Sequence, residues 1–416
     1  MSYVKNIVNV IGCGYSGIEC ALFLAGHDIK VNLFDYEGKH TYNCAKCSKR
    51  STLSPKRELF DALLKRELSF LGSPLIRQEE LLKSQGYRGC TEGEIYNLGL
   101  EMVKNNRNIE YFNFPITSIN TNEINIIASG NNTSESLSKF LLQKLGSMKC
   151  MTCKYKYPII TNIDTSKITF DGKNGFLHLD YDMYVRFVNK VIEKLNEKIL
   201  KGGFKIYPKS LEDLALKGKD CLRNLCMMPV LNSSMQRKPY ATLSIVRQDE
   251  GFLLCSIASN LDTLAQSEII RTLPGFENAI ILSESKIKEG LHVYPKYAIN
   301  EFGQSKTDKN LFFTGSILGF EDYSQSIASG HITAMAVNNY FKDRVLVPLD
   351  EESMIGFISK NILKTNLSKS NDILQDYDII EKQEDYTNEK LLSYLFDRSV
   401  KSLARFKEEY TSGKRV

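Results

Sequence analysis

The chain has 416 residues, 42% of them hydrophobic and 25% charged, with a formal net charge of +5. That length allows a large core and two domains, and the composition excludes a disordered or collagen-like chain. The absence of an eighteen-residue apolar run argues against a membrane-spanning helix, and ten cysteines are too sparse over this length for a disulfide scaffold.

Ile7–Ile11 is a short β-branched run suited to a buried parallel strand. Gly12-Cys13-Gly14-Tyr15-Ser16-Gly17 follows, and then Ile18–Ala25, which suits a helix. In this order Gly12 would make a tight turn, Gly14 would let a backbone approach a pyrophosphate, and Gly17 would let the helix pack close to the strand. The phosphate would sit at the helix N-terminus. A second strand, Lys30–Phe34, ends on Asp35, where a ribose-binding carboxylate belongs. The opening lacks a signal-peptide pattern, so a cytoplasmic location is expected.

Thr41–Ser51 then places Cys44 and Cys47 in a Cys-x-x-Cys step among Lys46, Lys49 and Arg50. These residues alone leave four readings open: metal ligands, a redox pair, a nucleophile, or small residues in a basic loop. A four-thiolate zinc site with Cys150 and Cys153 would be the first of these. The hundred intervening residues argue against it, and no metal is expected. Helical spacing predicts helices over Lys56–Leu71, Glu94–Met102 and Ser134–Leu145, around strands Ile109–Phe112 and Ile124–Ile127. Lys149–Tyr157 interleaves bases and tyrosines, so Lys154, Tyr155 and Tyr157 would suit stacking of exposed nucleobases beside phosphates. A helix over Tyr181–Leu195 and strands over Tyr240–Val246 and Gly251–Ala258 make the middle a mixed α+β insertion.

Asn310–Gly315 reads as a buried strand ending on glycine, followed by a loop at Phe320–Tyr323. A helix opened by Ser326–Gly330 then runs to about Tyr340. Gly315 and Gly330 would again admit a ligand close to a helix start. Asn366–Asp378 reads as a polar connection, and Lys390–Glu408 as a terminal helix. The expected fold is α/β, with a Rossmann-like domain assembled from both ends of the chain, residues 1–120 and 301–345. A mixed α+β domain is inserted, mainly over 121–300, and a helical extension covers 346–416. The residues themselves leave FAD and NAD open, although the order of the half-sites resembles FAD-binding proteins with an inserted middle domain.

"CSKRSTLSPKRELFDALLKRELSFLGSPLI", Cys47 to Ile76, resembles a segment of the folate- and FAD-dependent RNA uridine-C5 methyltransferases. "IIASGNNTSESLSKFL", "KPYATLSIVRQDEGFLLC", "LPGFENA" and "NLFFTGSILGFEDYSQSIASGHITA" follow in that family's order. The resemblance implies FAD at Gly12, Gly14, Gly17, Asp35, Gly315 and Gly330. It implies 5,10-methylenetetrahydrofolate as one-carbon donor, NADH or NADPH as electron donor, and RNA, rRNA or tRNA, as substrate. A cysteine thiolate would add to C6 of the target uracil to make C5 nucleophilic. Cys47 matches the family's first thiol motif, with one extra residue before Ser51; Cys44 has no counterpart there. At the family's second thiol this chain has Tyr207 and Pro208, so either Cys221 or Cys226 would supply that sulfur or the second role would be lost. Lys46, Lys49 and Arg50 would favour a thiolate or contact RNA phosphate. Changes around Asn260 and Lys288–His292, where the substrate pocket is expected, favour 23S rRNA slightly over tRNA. Two other readings stand beside this one, a flavin-dependent thiol oxidoreductase and an RNA-binding or assembly protein retaining structural FAD. Nothing in the sequence chooses between monomer and dimer.

Overall fold

The computed structural model describes residues 7–35, 55–85, 92–130, 133–207, 210–227, 229, 239–320, 322–344, 347–364 and 388–412. Their contacts divide into two units, one of described residues up to 152 and from 289 onward, the other of residues 153–288.

In the first unit β1 (Ile7–Ile11), β2 (Lys30–Asp35), β3 (Ile109–Asn113), β4 (Ile124–Ile127) and β11 (Leu311–Phe313) form a sheet in the order β11-β4-β1-β2-β3. All four pairings are parallel, with Val10 opposite Leu33 and Ile126, and Phe312 opposite Ile126. Val10, Leu33 and Ile126 are fully buried, as expected for strands covered by helices. The C-terminal ends of the strands therefore lie along one edge, where such sheets bind ligands. α1 (Tyr15–Ala25) is buried along its whole length because α11 (Tyr323–Phe341) packs against it. α11 begins three residues earlier than the sequence pattern predicts, since Asp322 takes the cap position and Tyr323 is already helical.

Around this core stand α2 (Pro55–Leu71), α3 (Pro74–Ser84), α4 (Glu92–Lys104), α5 (Glu135–Leu145), α10 (Pro295–Ala298), α12 (Met354–Asn361) and α13 (Asn388–Ser412). α3 starts where Ser73 accepts a hydrogen bond from the Ile76 amide at 3.3 Å and Pro74 takes the first helical position. Glu67, fully buried on α2, caps another helix: its two carboxylate oxygens accept from the Met354 and Ile355 amides of α12 at 2.9 and 2.8 Å. Ser399 of α13 also bonds to it, yet burial outweighs these contacts and pushes the carboxyl up to about 7. A raised carboxyl contributes stability that is complete below its unfolded value, near 4.5, and is lost as pH climbs through 7. The unfolding midpoint is accordingly expected to fall between pH 5 and pH 8 by an amount on the order of 3 kcal/mol in stability, and Glu67→Gln should flatten that dependence. Thermal melts of both proteins across this interval measure it.

The second unit is built on a sheet ordered β10-β5-β9-β8-β7-β6. Its strands are β5 (Cys150–Thr161), β6 (Ile168–Asp171), β7 (Asn174–Leu179), β8 (Ala241–Gln248), β9 (Gly251–Leu254) and β10 (Ile280–Val293). The pairs β6–β7, β7–β8, β8–β9 and β5–β9 are antiparallel. β9 ends at Leu254, four residues short of the predicted strand, and Lys149–Tyr157 lies largely within β5. α6 (Tyr181–Lys201) is capped by Asp180, which accepts from the Met183 amide at 2.8 Å. Tyr184, Phe187, Val188, Val191 and Leu195 recur at helical spacing on its buried side. They join Leu243 and Ile245 of β8 in one core with α7 (Leu211–Leu216), α8 (Lys219–Cys226) and α9 (Thr263–Ile270).

Candidate functional site

The glycine turn after β1 is shaped by backbone crowding. Gly12 has φ +112°, donates its amide to Phe34 O at 2.7 Å, and has the Ala128 carbonyl 2.6 Å from where a Cβ would stand. Gly14 is extended and occupies the cap position of α1, with no side chain closing that helix end. At Gly17 a Cβ would lie 1.9 Å from Gly12 O, so helix and turn meet only through glycine. This is a cradle that backbone alone lines, with a helix N-terminus at its floor.

The far end of the chain completes it. Gly315 follows β11 with φ +75°, and a Cβ there would stand 2.2 Å from Ser16 Oγ; one on Gly330 would stand 2.5 Å from Ser16 O. The Cys20 thiol donates to Gly330 O at 3.0 Å, and the Gly315 amide donates to Ser329 Oγ at 3.1 Å. His331 Nδ1 lies 2.8 Å from Glu19 Oε1, both side chains fully buried, and Glu19 Oε2 accepts from the Leu75 amide at the start of α3. Gly12, Gly14, Gly17, Gly315 and Gly330 are thus brought together. Asp35 ends the neighbouring strand, nearly buried, and accepts from the Tyr111 hydroxyl at 2.9 Å. Burial and this carboxylate together raise the Tyr111 phenol well above its ordinary value.

Sequence reasoning missed a second group, at the starts of α1 and α11. The Tyr323 hydroxyl donates to Glu79 Oε2 at 2.9 Å, while Glu79 Oε1 meets Lys65 at 3.2 Å and Lys83 at 2.7 Å. Lys65 also sits 4.8 Å from the centre of the Tyr323 ring. Although burial opposes ionisation, these cations and the Tyr323 hydroxyl hold the Glu79 carboxyl down at about 2. Tyr15, inside the glycine fingerprint, packs edge-on to Tyr323 at 4.8 Å and to Tyr96 at 5.9 Å. No local pattern pairs Glu79 with a tyrosine 244 positions away.

The thiols divide by environment. Cys13 and Cys20 are fully buried, and burial pushes both far up, so neither is a nucleophile at neutral pH. Cys150 is buried and raised to about 11. Cys221 and Cys226, on α8 in the second unit, are half-buried beside its core. Tyr207, where the sequence resemblance expects a second thiol, is half-buried. Glu212 of α7 is buried and accepts from the Asn260 amide at 3.1 Å, which fixes the Asn260 loop. Cys44, Lys46, Cys47, Lys49 and Arg50 lie outside the described residues, as do the side chains of Cys153, Lys154 and Tyr155 and the Asn366–Asp378 segment. Tyr157 is half-buried on β5. Among the described residues no three His, Cys, Asp or Glu side chains are grouped to hold a metal, and no helix is long and apolar enough to cross a membrane.

The sequence profile of the family described as Glucose inhibited division protein A matches residues 7–84 and 159–344, well over half of the chain. Methylenetetrahydrofolate--tRNA-(uracil-5-)-methyltransferase TrmFO 1 of Mesoplasma florum is 27% identical over 426 residues, covering 96% of each chain. The chain is a diverged member of the GidA/TrmFO family. TrmFO 2 of Mycoplasma mycoides subsp. mycoides is 26% identical over 429 residues, covering 97% of this chain and 96% of its own. The crystal structure of Aquifex aeolicus GidA in form II superposes with a TM-score of 0.52 at 14% identity, over 99% of this chain and 74% of that one. This likeness establishes the GidA/TrmFO fold. Membership supports FAD and folate involvement, RNA as substrate, and methyltransferase activity at the level of the family.

Proposed function

We propose that this chain is a FAD- and 5,10-methylenetetrahydrofolate-dependent RNA uracil-C5 methyltransferase. The observation that carries the reading is full-length similarity to TrmFO proteins, together with a glycine cradle assembled from both chain ends. Gly12, Gly14 and Gly17 would hold the pyrophosphate, Asp35 the adenosine ribose, and Gly315 and Gly330 the closing side. The cradle fits such a group, since its glycines let turn and helix meet backbone to backbone and the helix beneath has an uncapped N-terminus. Bound FAD and folate supply the one-carbon unit and the electrons, the latter replenished by NADH or NADPH.

The chain's own task is to open the uracil to attack. The Cys47 thiolate bonds to C6, the C5–C6 double bond passes its electrons to C5, and C5 accepts the one-carbon unit. Loss of the C5 proton then allows the sulfur–C6 bond to break. Lys46, Lys49 and Arg50 lower the cost of ionising that thiol and meet RNA phosphate. Lys154, Tyr155 and Tyr157 extend the RNA contacts. Cys226 or Cys221 stands in for the second thiol that Tyr207 displaces. Because the Asn260 and Lys288–His292 segments depart from the family's pattern, 23S rRNA is placed ahead of tRNA, although the relatives are named for tRNA.

Incubating the flavin-loaded chain with methylene-labelled folate and total RNA tests this, with mass mapping of uridines in cells lacking the protein to identify the target. Label at uracil C5 is the expected result. RNA that stays unlabelled, with flavin reduction intact, would return the chain to thiol oxidoreductases or RNA-binding flavoproteins.

A further inference from the structure

At the start of α6 the second unit gathers rings and cations that the nucleotide site does not use. Tyr181, the first residue of α6, is 49% exposed. Its ring meets Tyr240 edge-on, with centroids 5.0 Å apart and planes at 89°. Tyr240 lies 5.3 Å from Tyr184, which is fully buried and donates its hydroxyl to Lys219 O at 2.6 Å. The Tyr240 amide donates to Leu179 O at 2.9 Å. One half-exposed ring is therefore anchored through two others to a helix start and a strand start. α8 adds two cations a turn apart. Lys219 Nζ is 5.4 Å from the Tyr181 ring centre and donates to its hydroxyl at 3.2 Å; the Arg223 guanidinium lies 4.6 Å over Tyr240.

The charges say what this patch recognises. Asp220 accepts from the Tyr240 hydroxyl at 3.4 Å and sits 3.6 Å from Arg223, and Asp182 is exposed beside Tyr181. Two carboxylates cancel two cations, so the patch has no net positive field with which to follow a phosphate backbone. What it offers is π-faces and a planar guanidinium, held in place before any ligand arrives, and these suit an unpaired base. Lys219, Arg223 and Cys226 recur at i, i+4 and i+7 and so share one side of α8, which Cys221 does not.

We propose that Tyr181, Tyr240 and Arg223 form a stacking platform for an unpaired nucleobase of the RNA substrate, on the side of α8 that carries Cys226. The proposal rests on the reading of the chain as an RNA enzyme and names one of its substrate contacts. Binding of a short, uridine-containing single-stranded RNA to the flavin-loaded full chain tests it. Tyr181→Ala is expected to weaken binding roughly 5- to 100-fold, the loss for one base stack, with an unchanged salt dependence. Tyr181→Phe, which keeps the ring, should bind as the parent chain does. Independently of any variant, RNA carrying 4-thiouridine should photocrosslink in the parent chain to peptides containing Tyr181 or Tyr240. A parent chain that binds no RNA, crosslinks confined to other peptides, or a folded Tyr181→Ala chain binding at full strength would each overturn the platform. If the parent chain transfers label to RNA while Tyr181→Ala binds normally, the platform falls and the methyltransferase reading stands. Binding that depends on Tyr181 without label transfer gives the reverse.

Discussion

Gly17→Ala is expected to purify without flavin, at roughly a tenfold or greater loss in flavin-to-protein ratio, because overpacking of backbone against backbone costs on the order of 1–3 kcal/mol or more. The added methyl would lie 1.9 Å from Gly12 O, and no flexible side chain is available to yield. Gly12 has nowhere to retreat, since its amide is held by Phe34 O at 2.7 Å and its own α-carbon faces the Ala128 and Ser129 backbone. α1 would have to swing off the sheet, taking its N-terminus away from the pyrophosphate and Ser16 away from Gly315 and Gly330. Gly330→Ala should give the same flavin-poor protein from the other end of the chain, since its methyl would press on Ser16 O at 2.5 Å. The visible flavin absorbance of the purified variants checks both. A Gly17→Ala protein with the parent's flavin content and spectrum would mean that the cradle is not where the cofactor sits.

Cys47→Ala is expected to lower methyl transfer by about a thousandfold or more, as loss of a covalent nucleophile does. The reason lies partly in the other sulfurs. Cys13, Cys20 and Cys150 are buried and their thiols pushed up, so they hold almost no thiolate at neutral pH. Only half-buried cysteines among the described residues, Cys221, Cys226 and Cys255, have the exposure to act, and they belong to the second unit. Cys226→Ala should cost more than Cys221→Ala, because Cys226 shares its side of α8 with Lys219 and Arg223. Label incorporation measured for the three single variants at equal flavin content decides the matter. Full activity in Cys47→Ala would remove that thiol from the reaction.

The elements at the two chain ends were the most legible. Ile7–Ile11 and Ile124–Ile127 are strands with the predicted bounds, and the strand from Lys30 runs one residue past the predicted Phe34 to take in Asp35, because β-branched runs bounded by glycine or acid leave little choice. Ser134 announces α5 by capping it, its Oγ accepting from the Leu137 amide at 3.2 Å. α6 runs six residues beyond the predicted Leu195, since polar helix formers carry it to Gly202, which stops it at φ +79°. α3 was readable and missed: Ser73-Pro74 is a cap followed by an N1 proline. β10 was not readable in the same way, because Ser283, Glu284, Ser285, Lys286, Lys288 and Glu289 hide the alternation of a strand. In the site, glycines signal themselves by what they permit, whereas the Glu79–Tyr323 and Glu19–His331 pairs depend on partners brought together only by the fold.

The junction of Ser16 with Gly315 and Gly330 has a consequence for how the protein is made. Its first α/β segment leaves the ribosome roughly 300 residues before the strand and helix that cover it, which at 5–20 residues per second is about 15–60 s. Through that interval α1, buried along its whole length in the finished protein, has no α11 to shield it. Flavin capture would then be a late event, after translation of most of the message, and apoprotein yield in the cell should depend on chaperones that guard nascent apolar surface.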